Sequence, residues 1–81
     1  MPLIEKNIAK RIERLRMSKK ANINGESKYL SREQLAELLH LTNEQYDIRS
    51  TGNIPFSVKS LNTICKFYDA DINFILFGGI K

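Results

Sequence analysis

Leu30-Ser31-Arg32-Glu33-Gln34-Leu35-Ala36-Glu37-Leu38-Leu39-His40-Leu41-Thr42-Asn43-Glu44-Gln45-Tyr46 is the stretch on which the fold turns. Ser31 with Gln34 makes a capping box: the serine hydroxyl accepts the Gln34 amide hydrogen while the glutamine side chain reaches back to the Ser31 N–H. Leu30 and Leu35 flank it as a hydrophobic staple. Thr42 with Gln45 repeats the device, and Leu41 and Tyr46 are its staple. These starts predict two consecutive short helices, the first over about Arg32 to Leu39 and the second to about Thr51. Only His40 to Thr42 lie between them. Gly52 supplies the left-handed cap that ends the second, and Pro55 stops any continuation.

Working outward, Ile4, Ile8, Ile12 and Leu15 form one stripe of a first helix over about Leu3 to Lys20. The segment 21–30 has no helical period and carries an Asn24-Gly25 turn, so it reads as an exposed loop. Beyond Pro55, Ser57 caps a helix over about Val58 to Tyr68 with Val58, Leu61, Ile64, Cys65 and Tyr68 inward. A short fifth helix runs from Asp71 to Gly78, with Phe74, Ile75 and Phe77 as its apolar mass. No strand-length alternation appears, and the expected class is all-α, one domain over residues 1–81 with a helix-turn-helix unit at about 31–52.

Composition narrows the function. A chain of 81 residues, 42% hydrophobic and 27% charged, is one small globular domain. One cysteine and one histidine can build neither a disulfide nor a zinc site. No apolar run is long enough for a membrane span, and no cleavable leader is recognisable, so a cytoplasmic protein is expected. Glu44 and Asp47 on an exposed helix, Cys65 on an apolar face and His40 in a turn form no catalytic constellation. No enzyme activity, metal, cofactor or small-molecule ligand is expected.

The net charge of +4 is concentrated. Residues 1–20 carry seven Lys and Arg against Glu5 and Glu13, whereas residues 21–81 carry six against seven acidic residues. A basic end suggests an anionic partner, nucleic acid above all. Two short helices joined by a tight turn are also the unit that lays its second helix in the DNA major groove. Ala36 is the small residue their contact needs, and Asn43, Glu44 and Gln45 are polar side chains at the start of the second helix.

The run Leu30 to Leu39, followed by Thr42, Gly52, Pro55, Leu61 and the Asp71-to-Gly78 ending, resembles the XRE (Cro and lambda-repressor) helix-turn-helix family, over nearly all of Ile8 to Gly78. The resemblance implies a five-helix lambda-repressor-like domain that binds double-stranded operator DNA as a symmetric dimer and acts as a small repressor. It puts Asn43, Glu44 and Gln45 at base-reading positions, with Ile48 one turn further on. Asparagine or glutamine can read adenine, glutamate can accept from cytosine, and isoleucine can pack on a thymine methyl. Arg32, the helix start at Ser57, and Arg16 on the basic first helix fall to phosphate. Leu76, Phe77 and Ile80 in the apolar C-terminal segment are the expected homodimer surface.

Four departures accompany the likeness. His40 stands where the family favours glycine. Ser50 stands where a glutamate usually pairs with the first-helix arginine, here Arg16. The segment Thr42 to Thr51 is net acidic, with Glu44 and Asp47 against Arg49, which opposes phosphate. The loop before Ser31 is longer than usual. The acidic segment, Ser50 and the long loop support an alternative: a helix-turn-helix scaffold turned to protein–protein contact, antitoxin-like or an anti-repressor module.

Overall fold

The computed structural model describes residues 2–78, and side chains from residue 7 to residue 78. Helix α1 spans Pro2–Ser18. Proline suits the first turn, where its missing N–H would have no helical partner. Ala9, Ile12 and Leu15 are buried and Ile8 packs against them, one stripe at helical spacing. Ile4 lies outside the described side chains. Helices α2 (Arg32–Leu38), α3 (Asn43–Ser50), α4 (Val58–Tyr68) and α5 (Ile72–Phe77) follow, each close to its predicted bounds.

Segment 21–30 differs from expectation. It is an antiparallel hairpin of β1 (Ala21–Ile23) and β2 (Glu26–Lys28), pairing Ala21 with Lys28 and Ile23 with Glu26. Asn24 (φ 53°) and Gly25 (φ 82°) form the two-residue turn, whose positive φ values match the twist of paired strands. Ala21 is fully buried, and β1 packs on α4. The fold is therefore mostly helical with a two-stranded sheet inserted before α2. The hairpin also helps wall a groove of about 650 Å³ with Leu38, His40, Leu41, Ser57 and Phe67.

The core joins all five helices: Ile12, Leu35, Tyr46, Ile64, Tyr68 and Ile75 are its largest fully buried side chains. Tyr46 meets Phe56 edge to face, with ring centroids 5.8 Å apart. Cys65 packs against this core, and burial pushes its thiol pKa up, as befits a small core hydrophobe. One inward assignment is corrected. Val58, the first residue of α4, is 73% exposed, whereas Ser60, Leu61, Ile64 and Tyr68 make up the buried side of the helix. Phe77 is 72% exposed, leaving Ile75 as the buried anchor of α5.

Helix α5 is held to α1 by its end. Arg11 Nη1 donates to the carbonyls of Ile75 (3.0 Å) and Leu76 (3.1 Å), acceptors that lack partners at a helix terminus. The chain leaves α5 through Gly78 at φ 91°, where a Cβ would stand 3.1 Å from Arg11 Nη2. Glycine here serves both the left-handed cap and the close approach of that guanidinium.

Candidate nucleic-acid interface

The unit α2–turn–α3 is built from local hydrogen bonds. At α2 the Gln34 amide donates to Ser31 Oγ (3.1 Å) and the Ser31 amide to Gln34 Oε1 (2.9 Å). At α3 the Gln45 amide donates to Thr42 Oγ1 (3.1 Å) and the Thr42 amide to Gln45 Oε1 (3.0 Å). Between them the His40 amide donates to Glu37 O and the Leu41 amide to Ala36 O. This is a Schellman ending, and His40 holds its left-handed position at φ 61°. The turn thus keeps the geometry that glycine favours, at some strain in a histidine.

Arg32 opens α2 and is exposed; Asn43, Glu44 and Gln45 open α3 and are exposed; Ile48, one turn on, is 41% exposed. A cleft of about 260 Å³ lined by Arg32, Glu33, Asn43, Tyr46 and Asp47 brings the two helix starts together. Ser57 caps α4, accepts the Ser60 amide at 3.1 Å, and borders the other groove beside His40 and Leu41. Several of these side chains already have partners. Gln45 Oε1 belongs to the cap, leaving its amide N–H groups to reach outward. Asn43 Nδ2 lies 3.5 Å from Glu33 Oε2, and Arg49 Nη1 donates back to Gln45 O.

Arg16 is placed differently from its predicted phosphate role. Its side chain is 14% exposed and turned inward: Nη1 donates to Leu30 O at 3.0 Å, while Nη2 pairs with Glu13 Oε1 at 2.9 Å. The carboxylate expected at position 50 is supplied by Glu13, one helical turn before Arg16; Ser50 Oγ instead donates to Asp47 O. Glu13 also accepts from the Tyr46 hydroxyl and lies 3.4 Å from Arg32 Nε. One carboxylate thus ties α1 to the starts of both α2 and α3. Sequence reasoning missed Glu13, although its i,i+3 spacing to Arg16 was visible.

The electrostatics follow from this arrangement. Burial alone would raise the Glu13 pKa; hydrogen bonds from Arg16 and Tyr46, with the Arg16 and Arg32 charges, outweigh it and hold the carboxyl below its usual value. Arg16 is raised by its bond to Glu13. Burial, then the bond to Glu13, pushes Tyr46 far up, and burial takes Tyr68 to about 12. Outside this joint the unit's surface carries Glu33, Glu44 and Asp47, all exposed. The basic residues Lys10 and Arg14 lie exposed on α1, and Lys20 stands over the Tyr29 ring at 5.6 Å.

Five helices, the second and third joined by a tight turn and flanked by a buried joint to the first, define a helix-turn-helix fold. The solved structure of the clp gene regulator ClgR from C. glutamicum shares it, with a TM-score of 0.68 over 94% of this chain and 87% of that one, at 17% sequence identity. No family profile matches the sequence, and no curated protein is significantly similar to it. Among the described residues no helix is long and apolar enough to cross a membrane, and no cluster of His, Cys, Asp and Glu could hold a metal ion.

Proposed function

We propose that the chain is a sequence-specific DNA-binding transcriptional regulator of the XRE type, a small cytoplasmic repressor that occupies operator DNA as a dimer and excludes polymerase. The observation that carries this reading is the pair of capped helix starts, each presenting its first turn to solvent: Arg32 on α2, and Asn43, Glu44 and Gln45 on α3. In this reading α3 enters the major groove. Asn43 and the free amide of Gln45 address base edges, Ile48 packs on a thymine methyl, and Glu44 accepts from cytosine. Arg32 and the N-terminus of α4 at Ser57 hold phosphates and set the register. Phe77, with Leu76 beside it, supplies the dimer contact; Ile80 lies outside the described residues.

Titrating DNA binding against salt tests the proposal. Affinity should fall steeply, by about 0.9 of a log unit per log of salt for each phosphate neutralised. Arg32→Ala should weaken all sequences alike, while Gln45→Ala should relax preference at one base pair. Absence of binding to fragments of the host genome at low salt would overturn it.

A second reading draws on the exposed carboxylates of Glu33, Glu44 and Asp47 across the helix-turn-helix surface. Such a surface suits a basic protein partner in an antitoxin-like or anti-repressor role. Salt-sensitive capture of a protein partner together with no DNA binding is the result that would favour it.

A further inference from the structure

The Arg32 guanidinium lies between two carboxylates of different standing. Glu13 Oε1 faces its Nε at 3.4 Å; that carboxylate is 15% exposed and is also bound by Arg16 and Tyr46, so it cannot leave. Asp47 Oδ1 faces Nη1 at 3.6 Å, too long for a hydrogen bond, and both side chains are more than half exposed, 56% and 58%. The inner carboxylate fixes the direction of the arginine. The outer one stands where an incoming anion would meet the outward end of its fork.

We infer that Asp47 is an internal competitor for Arg32: it occupies the place of a DNA phosphate oxygen in the free protein and must be exchanged for phosphate on binding, while Glu13 acts as the positioning residue that keeps the fork turned outward. This rests on the DNA-binding reading above. The exchange is chemically favourable because phosphate offers a guanidinium two parallel charge-assisted bonds, whereas Asp47 gives a long, solvent-screened contact. It is also incomplete: Asp47 remains on α3 and repels the same backbone. Asp47 therefore lowers affinity twice, by holding the cation and by adding charge. Glu33 beside Asn43 repeats the arrangement on a base-reading side chain.

A double-mutant cycle separates the two effects. The intact chain, Asp47→Asn, Arg32→Ala and the double variant are titrated by fluorescence anisotropy with a labelled random-sequence duplex over a range of salt. Asp47→Asn should tighten binding roughly fivefold at low salt, the size of one screened contact charge. Its log–log salt slope should stay close to that of wild type, because Arg32 meets the same phosphate in both complexes. In the Arg32→Ala background most of the gain in affinity should vanish, and the slope should fall by about 0.9 whichever residue stands at position 47. Glu44→Gln removes an equal charge from α3 and should act the same in both backgrounds. An Asp47→Asn gain that persists in full without Arg32 overturns the competition, as does wild-type binding with no gain at all. If neither wild type nor Asp47→Asn binds any duplex, the DNA-binding reading falls and the inference with it.

Discussion

Arg16 and Arg32 each lean on Glu13, and their surroundings decide what the contact does. At the inner joint, between α1 and α3, the Arg16–Glu13 pair closes at 2.9 Å with side chains 14% and 15% exposed, and the Tyr46 hydroxyl completes it. At the outer face, between α2 and α3, Arg32 reaches Asp47 at 3.6 Å with both side chains largely in water. The inner pair is locked because each group that left it would stay partly buried without a partner. The outer pair exchanges with solvent at little cost. The same chemistry is thus structural within and exchangeable outside, on one helical unit.

The largest effect belongs to the inner joint. Tyr46 is fully buried, packs on Phe56 and bonds Glu13. Tyr46→Ala should therefore cost about 3–5 kcal/mol through the cavity and the lost bond, read as a drop in the urea midpoint. For a domain of marginal stability that is enough to unfold a large fraction of molecules. A loss near that of an exposed substitution would show that the joint does not hold α3 in place.

Next comes Glu13→Gln, which keeps the shape and removes the charge, leaving Arg16 less than one-fifth exposed without its counter-ion. About 2 kcal/mol should be lost near neutral pH. The native Glu13 pKa lies below its ordinary value of 4.5. Its contribution is therefore complete above pH 4.5 and disappears as the pH falls below that through the native value. Unfolding free energy measured from neutral to acid pH should converge for wild type and Glu13→Gln at the acid end. Parallel curves would mean that Glu13 contributes through shape alone.

How much of this was legible in the sequence follows the range of each interaction. The starts of α2 and α3 could be read because a capping box needs only four consecutive residues, and Ser31 to Gln34 and Thr42 to Gln45 contain all of it. His40 could be read as the turn residue for the same reason. The hairpin could not: its strands are three residues long, and Glu26, Ser27 and Lys28 all face solvent, so no alternation exists to detect. Asn24-Gly25 marked the turn but not the pairing around it. Glu13 could not be singled out, because the family pattern places the partner of Arg16 at position 50 on α3, whereas the carboxylate stands one turn earlier on α1 itself. The outer pairing of Arg32 with Asp47 depends on how α2 crosses α3, which neither helix specifies alone.

The smallest expected effect is on the stability contributed by the outer face. Arg32→Ala and Asp47→Asn should each change unfolding free energy by less than about 0.5 kcal/mol, because a long ion pair between exposed groups is screened and loses side-chain entropy when it forms. Arg32 also touches Glu13, yet Arg16 and Tyr46 continue to satisfy that carboxylate when Arg32 is gone. Arg32→Ala should therefore leave the acid limb of the stability curve nearly unchanged, in contrast to Glu13→Gln. Chemical denaturation of both variants at neutral and acid pH decides the matter. A loss of 2 kcal/mol from Arg32→Ala would place that arginine in the inner joint, where a side chain held by the fold is poorly suited to leave one carboxylate for a phosphate.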